Sequence, residues 1–565
     1  MLNTAGALIR EKQRSRTVGD EPGQTGEVLN DADASAGAKA ASQAYLDTVR
    51  QCLPRLIRIV GATPWTATSP TSANTASARD HEQRSAAALA VALLCELDSR
   101  IEGKGYLREC VRAALIRWRM SLTGSGTPGA RPLVRSGLRC AAAVGNIIEL
   151  LNESARFQTP ELVDDIRRHC AWLSRLPVAK GRDEAALIHA LIGAAALARD
   201  PKLLAIGRLR LGGFLDTQSP EGWFPQGDCR LDLPRLPSLF QTLASVYART
   251  KWDTLRKSLH RLVEFLVCVS PPDFVSDAHT GAFESVTDGA YGYELLAPAH
   301  GGAAFLARLV RRRCGASDRW SGTICTDLAA ARLCATLAVA ARYPALELKT
   351  GADVGCPVGG GVHFHHGGVS VYDRAGYRAV ANAREGGALR VWWRSGKPPL
   401  DDGGVVVVSA KSFGYGNRSV KRHQGDNACA SAGSLVRSKC NYPRGVRRAL
   451  QWVCGGALPP SVCRMVARLA VRLRWVRGRV SLRRPPRERF SRVILFRDDT
   501  VRIRDRVWCR KSSLCVICQA RPPVEQHHEA VPVSRRCPVY YTGGRQTQID
   551  REYRSGTLIH PPSHT

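Results

Sequence analysis

EGWFPQGDCRLDLP (Glu221–Pro234) and DFVSDAHTGAFESVTDGAYGYELLAP (Asp273–Pro298) flank an apolar stretch that reads LPSLFQTLASVYART and then TLRKSLHRLVEFLVCV. The middle predicts a helix pair, and the glycines and prolines on either side stop each helix and let the backbone turn tightly. Two helices joined this way bring their end loops to one rim. Trp223, Gln226, Asp228, Tyr291 and Tyr293 are the candidates to line a cleft there. The same aromatic loops also fit a simpler role, capping a core at helix ends.

Outward from that stretch, the helical pattern continues. Candidate helices are Ala41–Val60, Ser85–Ile101, Gly105–Leu122, Val134–Asn152, Pro160–Leu176, Glu184–Ala198, Lys202–Leu215, Leu236–Thr250, Trp252–Val269, Gly301–Cys314 and Thr326–Tyr343. Each is followed by a Gly/Pro/Ser loop, and each is rich in Ala, Leu and Arg, which are strong helix formers. Pro54 falls inside the first and is expected to kink or split it. AALIHALIGAAALA is apolar nearly all round, so that helix packs on both sides. Consecutive doubly packed hairpins predict a layered array, a toroid or a solenoid. No fixed period recurs, which disfavours a simple repeat. Residues 1–40 are small and polar and read as a loose arm; the helical domain is then 41–347.

Near Leu348 the composition changes at KTGADVGCPVGGGVHFHHGG, a glycine-rich boundary. Beyond it come short β-like runs: GVSVY, YRAVANA, ALRVWW, GVVVVSA, RVILF, TVRIRDRVW and SLCVICQA. RVILFRDDTVRIRDRV predicts a hairpin with Asp498 and Asp499 at the turn. The pattern predicts an antiparallel β-sandwich over 348–565. Its interruption, Pro443–Val480, is strongly basic and reads as a sheet edge or insertion, or else as an amphipathic helix for an anionic surface. The fold class is therefore multidomain α+β.

The chain has 565 residues, 82 Lys and Arg against 49 Asp and Glu, and a net charge of +33. That balance favours a polyanionic partner, unless it only reflects an arginine-rich composition spread over helices and strands. The 19 cysteines lack small-domain disulfide spacing and fit reduced, buried thiols. The N-terminus lacks a basic region ahead of an apolar run, so a cytoplasmic location is expected. No apolar run is long enough to cross a bilayer. The sequence has no P-loop, no G-x-S-x-G elbow and no convincing dinucleotide fingerprint, and no cofactor is expected.

Four segments, in order, resemble the heparinase II/III-like proteins. EGWFPQGDCRLDLPRLPSLFQTLA is similar to their Glu-Gly-Trp-Phe segment, and GAFESVTDGAYGYELLAP to their later glycine–acid–aromatic loop. HFHHGGVSVYDRAGYRAVANAREGGALRVW resembles the start of their β-domain, and FSRVILFRDDTVRIRDRV a late hairpin. The resemblance covers about Glu221–Val507. It implies a polysaccharide lyase, an (α/α) toroid with a β-sandwich, that cleaves uronate polymers by β-elimination. It also admits a periplasmic location. The chain departs from the family where related loops carry Ser-Arg-Asn-Thr and this one reads Glu284-Ser285-Val286-Thr287, and again at Gln226-Gly227-Asp228-Cys229. A relative that binds or helps assemble a surface polysaccharide without cleaving it is the alternative.

That chemistry needs a cation or amide to stabilise the enolate that forms when the proton beside the carboxylate leaves. It also needs a Tyr or His to take that proton and to protonate the leaving oxygen. Tyr291 or Tyr293 is the candidate acid or base, with His365 or His366 as partner. Gln226 with Arg374 or Arg384 is the candidate carboxylate neutraliser, Asp228 lies beside them, and Trp223 is placed to stack on a sugar ring. Each also has a plainer reading: the tyrosines as packing, HFHH as a solvated turn or metal trio, Gln226 and Asp228 as helix N-terminal partners. Cys515 and Cys518, with His527, His528, Cys537 and Cys509, are loosely zinc-like. However, strand alternation would put Cys515 and Cys518 on opposite faces. A nucleic-acid partner suits the charge, but no helix-turn-helix, finger or RNP-like segment accompanies it.

Overall fold

In a computed structural model of the chain, the described residues are 31–61, 73–123, 134–179, 181–226, 231–272, 284–315, 326–345, 361–383, 387–397, 399–402, 405–408, 412–439, 489–508, 513–517, 539–542, 546–554 and 557–560. The helices are α1 (Asp31–Gln51), α2 (Leu53–Gly61), α3 (Ala73–Leu97), α4 (Lys104–Thr123), α5 (Val134–Glu153), α6 (Pro160–Leu173) and α7 (Arg182–Ala198), then α8 (Pro201–Leu215), α9 (Leu236–Thr250), α10 (Asp253–Val269), α11 (Glu284–Thr287), α12 (Ala290–Leu296), α13 (Gly301–Gly315) and α14 (Asp327–Arg342). Helix α1 begins at Asp31, inside the stretch expected to be a loose arm. The helix expected over Ala41–Val60 is two helices, with Pro54 in the first turn of the second, where its missing N–H costs nothing. Several starts follow sequence signals. Thr159, Asp200 and Thr326 cap α6, α8 and α14 through side-chain oxygens that accept from backbone N–H groups, and Pro160 and Pro201 open two of these helices.

Alternate helices form an inner set. Helix α3 packs on α5, α5 on α7, α7 on α9, α9 on α12, α12 on α14, and α14 returns to α3. Of the remaining helices, α2, α4, α6, α8, α10 and α13 each pack against a neighbour in sequence, whereas α1 packs on α14 and α13, and the short α11 on α9, α14 and α13. Helix α7 is buried almost all round, as its uniform apolarity predicts. Close approach demands glycine at two places: a Cβ on Gly193 would lie 2.7 Å from Ile148, and one on Gly207 2.7 Å from Ile192. The ends of the chain's helical part are tied together. The buried Glu294 carboxylate accepts from Tyr45 of α1 at 2.6 Å, from Arg311 of α13 at 2.8 Å and from the Ala345 N–H at 2.8 Å.

The strands are β1 (Gly361–Phe364), β2 (Val369–Asp373), β3 (Tyr377–Asn382), β4 (Ala388–Trp393), β5 (Leu400–Asp402), β6 (Val405–Val408), β7 (Ser412–Gly425), β8 (Ala428–Lys439), β9 (Arg489–Phe496), β10 (Thr500–Trp508), β11 (Ser513–Ile517), β12 (Val539–Thr542), β13 (Gln546–Arg554) and β14 (Thr557–His560). They form two antiparallel sheets, β1-β2-β3-β4-β5 and β12-β11-β6-β7-β8-β9-β10-β13-β14. The expected hairpin around Asp498 and Asp499 is β9–β10, with Phe496 opposite Val501. The basic stretch Pro443–Val480 lies outside the described residues. No described helix is long and apolar enough to cross a membrane.

The five-stranded sheet is a middle layer, which is why β2 and β3 are buried along their whole length. Alternate residues serve two cores. Val369, Val371, Val380 and Trp392 join the helical core. Tyr372, Tyr377, Ala379, Val391 and Trp393 face Ile494, Phe496, Val501 and Ile503 of the second sheet. In β9 and β10 the inward positions are apolar except for Arg492 and Asp505, both 0% exposed. These belong to a square of buried charge. Arg492 donates to Asp505 at 2.6 Å and to Asp402 of β5 at 2.8 Å, and Arg551 of β13 donates to the same two carboxylates.

Removing one member of such a square leaves an uncompensated buried guanidinium. Asp402→Ala is expected to lower the unfolding free energy by about 3–5 kcal/mol in urea titrations, whereas replacing all four residues by apolar side chains of similar volume should cost far less.

Candidate functional site

The helical part meets the five-stranded sheet at one end of the inner set. The loop between α8 and α9 carries Glu221, whose carboxylate accepts from the backbone N–H of His366 at 2.7 Å and of Gly367 at 2.9 Å, in the turn between β1 and β2. In the other direction Arg378 of β3 donates to the Cys268 carbonyl at 2.7 Å, satisfying an end carbonyl of α10 that the helix leaves without an intrahelical partner. Phe265 and Phe364 pack edge to face between these ties, with ring centroids 4.8 Å apart. Helices joined by short loops run antiparallel. The sheet therefore abuts the N-terminal ends of the inner helices and the C-terminal ends of the outer ones.

Gln226 lies at that junction. Its Oε1 accepts from the Arg182 N–H at 2.9 Å, at the start of α7, and it is 8% exposed with Nε2 lacking a hydrogen-bond partner. A Cβ on Gly181, whose φ is +59°, would lie 2.2 Å from Gln226 Oε1, so only glycine fits there. Beside it the Arg182 and Arg332 guanidiniums share one oxygen of Glu82, at 2.6 and 2.7 Å. Burial alone would raise the Glu82 carboxyl, but Arg332 and Arg182 outweigh it and hold it down at about 2. The Asp183 carboxylate also acts on Arg182, so two cations and two carboxylates gather at this point, with Arg182 in the first turn of α7. Sequence reasoning missed this group, because Glu82 and Arg332 are 250 residues apart and each reads as one more charge on an amphipathic helix.

The other sequence candidates are distributed as follows. His365 and His366 are exposed in the β1–β2 turn, and His365 Nδ1 lies 3.2 Å from Gln424 Oε1. Trp223 is nearby but buried, its indole N–H donating to Glu221 at 2.9 Å, so it presents no open face to a sugar. Arg374 is buried and donates to the Asp426 carbonyl and to Asn427 at 2.8 Å, which makes it a support of the β7–β8 turn rather than a ligand-binding arm. Tyr293 is 0% exposed and stacked on Phe240, with centroids 4.9 Å apart, so it is a core residue. Tyr291 packs against Tyr343 and feels Glu149 and Arg249, which lie in the C-terminal parts of α5 and α9. Helix α9 alone spans about 21 Å. Tyr291 and the His365 turn thus belong to different neighbourhoods, not to the single cleft that the sequence predicts. Burial and the Glu149 and Glu153 carboxylates push the Tyr291 phenol above its ordinary range, so it holds its proton at neutral pH and can donate but not abstract.

Asp228, Arg384, Cys518, His527, His528, Cys537 and Cys509 lie outside the described residues. Cys515 sits within β11, between Val407 and Tyr540 of its neighbours. Among the described residues no group of three or more His, Cys, Asp and Glu side chains is placed to hold a metal ion.

The Glu82 bridge makes a pH prediction. Its carboxyl falls from 4.5 to about 2 on folding, so the bridge stabilises fully above pH 4.5 and its contribution disappears as pH drops through about 2. The loss amounts to about 3 kcal/mol. Glu82→Gln should flatten that limb of the stability–pH curve while leaving other acid transitions in place.

No family model matches the chain, and no curated protein matches it in sequence. In backbone it is similar to the chondroitin AC lyase of Streptomyces coelicolor A3 in complex with chondroitin sulphate, at 14% identity and a TM-score of 0.45 over 97% of this chain and 75% of that one. It is also similar to a Paenibacillus xanthan lyase, at 11% identity and 0.43 over 91% of this chain and 49% of that one, about half its length. A mutant heparan sulfate lyase from Pedobacter heparinus matches at 10% identity and 0.40 over 100% of this chain and 94% of that one. These neighbours are polysaccharide lyases; at such identities and scores they assign neither substrate nor catalytic residues to this chain.

Proposed function

We propose that the chain engages an acidic, uronate-containing polysaccharide where the inner helices meet the five-stranded sheet, and that it is a lyase of the heparinase II/III-like kind, an (α/α) toroid joined to a β-sandwich. The observation that carries this reading is the Arg182–Glu82–Arg332 bridge beside the unpartnered Gln226 amide. An incoming uronate carboxylate accepts from Gln226 Nε2 and lies beside the two guanidiniums that meet at Glu82. That neutralisation is what β-elimination requires, since charge moves onto the carboxylate as the adjacent proton leaves. A surplus of 33 positive charges gathers such a polymer from solution. In this scheme Arg182, Arg332 and Gln226 replace the pairing of Gln226 with Arg374 or Arg384. His365 or His366, exposed and tied by Glu221 to the loop bearing Gln226, takes the proton, and the imidazolium so formed returns it to the leaving glycosidic oxygen as the C–O bond breaks and the C=C bond forms.

A second reading, binding without cleavage, is favoured by one observation: the phenols expected beside the histidines are elsewhere, Tyr293 in the core and Tyr291 against Tyr343. Both readings meet in one experiment. Wild-type protein is incubated with chondroitin, hyaluronan, heparan sulfate and alginate while the ultraviolet absorbance of unsaturated uronate is followed, and binding is measured in parallel. Absorbance should rise with at least one polymer. His365→Ala combined with His366→Ala should slow it by about 10²–10⁴-fold, the usual scale for losing a general base. Gln226→Glu keeps the acceptor for Arg182 but repels a carboxylate, and should lower kcat/KM by about 10²-fold or more. Salt-sensitive binding without absorbance, lost in Gln226→Glu, selects the second reading. Neither absorbance nor binding with any polymer sinks both.

A further inference from the structure

A second cluster of titratable side chains occupies the other end of the helical part, where α5, α9 and α14 finish, and the site above does not use it. Glu149 accepts from Arg249 at 2.7 Å and lies 2.8 Å from His189 Nε2. One turn further along α5, Glu153 accepts from the Tyr343 hydroxyl at 3.0 Å. The Tyr343 ring lies 5.9 Å, centroid to centroid, from that of Tyr291. Residues of α5, α7, α9, α12 and the end of α14 thus converge, and α5 makes room for the imidazole with a glycine: a Cβ on Gly145 would lie 2.7 Å from His189 Nδ1.

Two features separate this cluster from an ordinary buried network. The first is access. The same residue types meet at Glu294, Arg311 and Tyr45, but there Glu294 is 1% and Tyr45 0% exposed. Here the side chains of Glu149, His189 and Arg249 keep 12%, 10% and 15% of their surface open, and Tyr343 is 45% exposed at the rim. The second is charge balance. Glu149 and Glu153 face Arg249 and Arg342, the last 3.2 Å from Glu153; Arg342 also reaches Glu96 at 3.3 Å, which pairs with Arg156 at 3.2 Å, so three negative charges meet three positive ones. A balanced cluster exerts little pull on an ion. It does match a hydroxyl, which donates once and accepts as well and is satisfied by a carboxylate next to a guanidinium. A partly exposed aromatic face beside such groups is how a concave site orients a ring that is apolar on its faces and polar at its edge.

We propose that this partly exposed cluster binds an uncharged pyranose, with the sugar lying on Tyr343 and its hydroxyls shared among Glu153, Arg249 and His189. This does not rest on the lyase reading, and the site is separate from the carboxylate-binding junction at the sheet. The test is saturation-transfer NMR on the full chain with three probes at millimolar concentration: methyl β-glucoside, methyl N-acetyl-β-glucosaminide and methyl β-glucuronide. At least one neutral glycoside should take up saturation. Tyr343→Ala should reduce the transfer at least tenfold with an unchanged thermal midpoint, Tyr343→Phe should keep most of it, and Glu153→Gln should weaken it severalfold. Gln226→Glu, at the other end, should leave it intact. The proposal is overturned if no neutral glycoside binds, if transfer survives both Tyr343→Ala and Glu153→Gln, or if the glucuronide outcompetes the neutral probes.

Discussion

The five-stranded sheet has to serve two cores at once, and the square of Arg492, Asp505, Arg551 and Asp402 is what aligns it with its partner. Asp402 comes from the middle sheet and the other three from the nine-stranded one. Net stabilisation is not the reason to keep such a group, because desolvating four charges consumes most of what their attraction returns. Its effect is on alignment. A shift of one sheet that carried Asp402 away would strand two guanidiniums in a core otherwise made of Tyr372, Phe496, Ile494 and Trp393. Apolar side chains tolerate sliding far better than that.

With the middle sheet placed, the other face determines where the helices sit. Val369, Val371, Val380 and Trp392 supply a non-directional apolar contact. Glu221 and Arg378 make it directional, one reaching from helix loop to sheet turn and the other from strand to helix end. The closure at Glu294 joins α1, α13 and the segment after α14, and α14 returns to α3. The convergence of Glu82, Arg182 and Arg332 follows from that geometry, not from any local pattern.

The two ends of the helical part then differ in chemistry. At the sheet junction, two guanidiniums meet at one carboxylate and the Gln226 amide nitrogen has no partner, which suits an acceptor such as a carboxylate. At the far end, acids and bases balance and an aromatic ring lies open, which suits a neutral, hydroxyl-rich ring. Burial separates the tyrosines as well. Tyr293 is sealed in the core against Phe240, and Tyr291 packs on Tyr343.

Much of the secondary structure was legible in the sequence. Helical periodicity, Thr and Asp caps followed by proline, and the all-apolar run of α7 marked the helices, and the Asp498–Asp499 turn marked β9–β10. These depend on neighbours within a few residues, which a sequence displays directly. The strands β1, β5, β7, β8, β12, β13 and β14 were missed, because each is either very short or lacks the dense β-branched alternation of β6 or β9. The site was less legible. Gln226 and the His365–His366 turn were picked out by residue type, and both lie at the junction. Trp223, Tyr293 and Arg374 were picked out on the same grounds and are structural. Residue type names what a side chain can do; only packing between helices a hundred or more residues apart decides whether it is sealed in a core, neutralised by a partner, or left facing solvent.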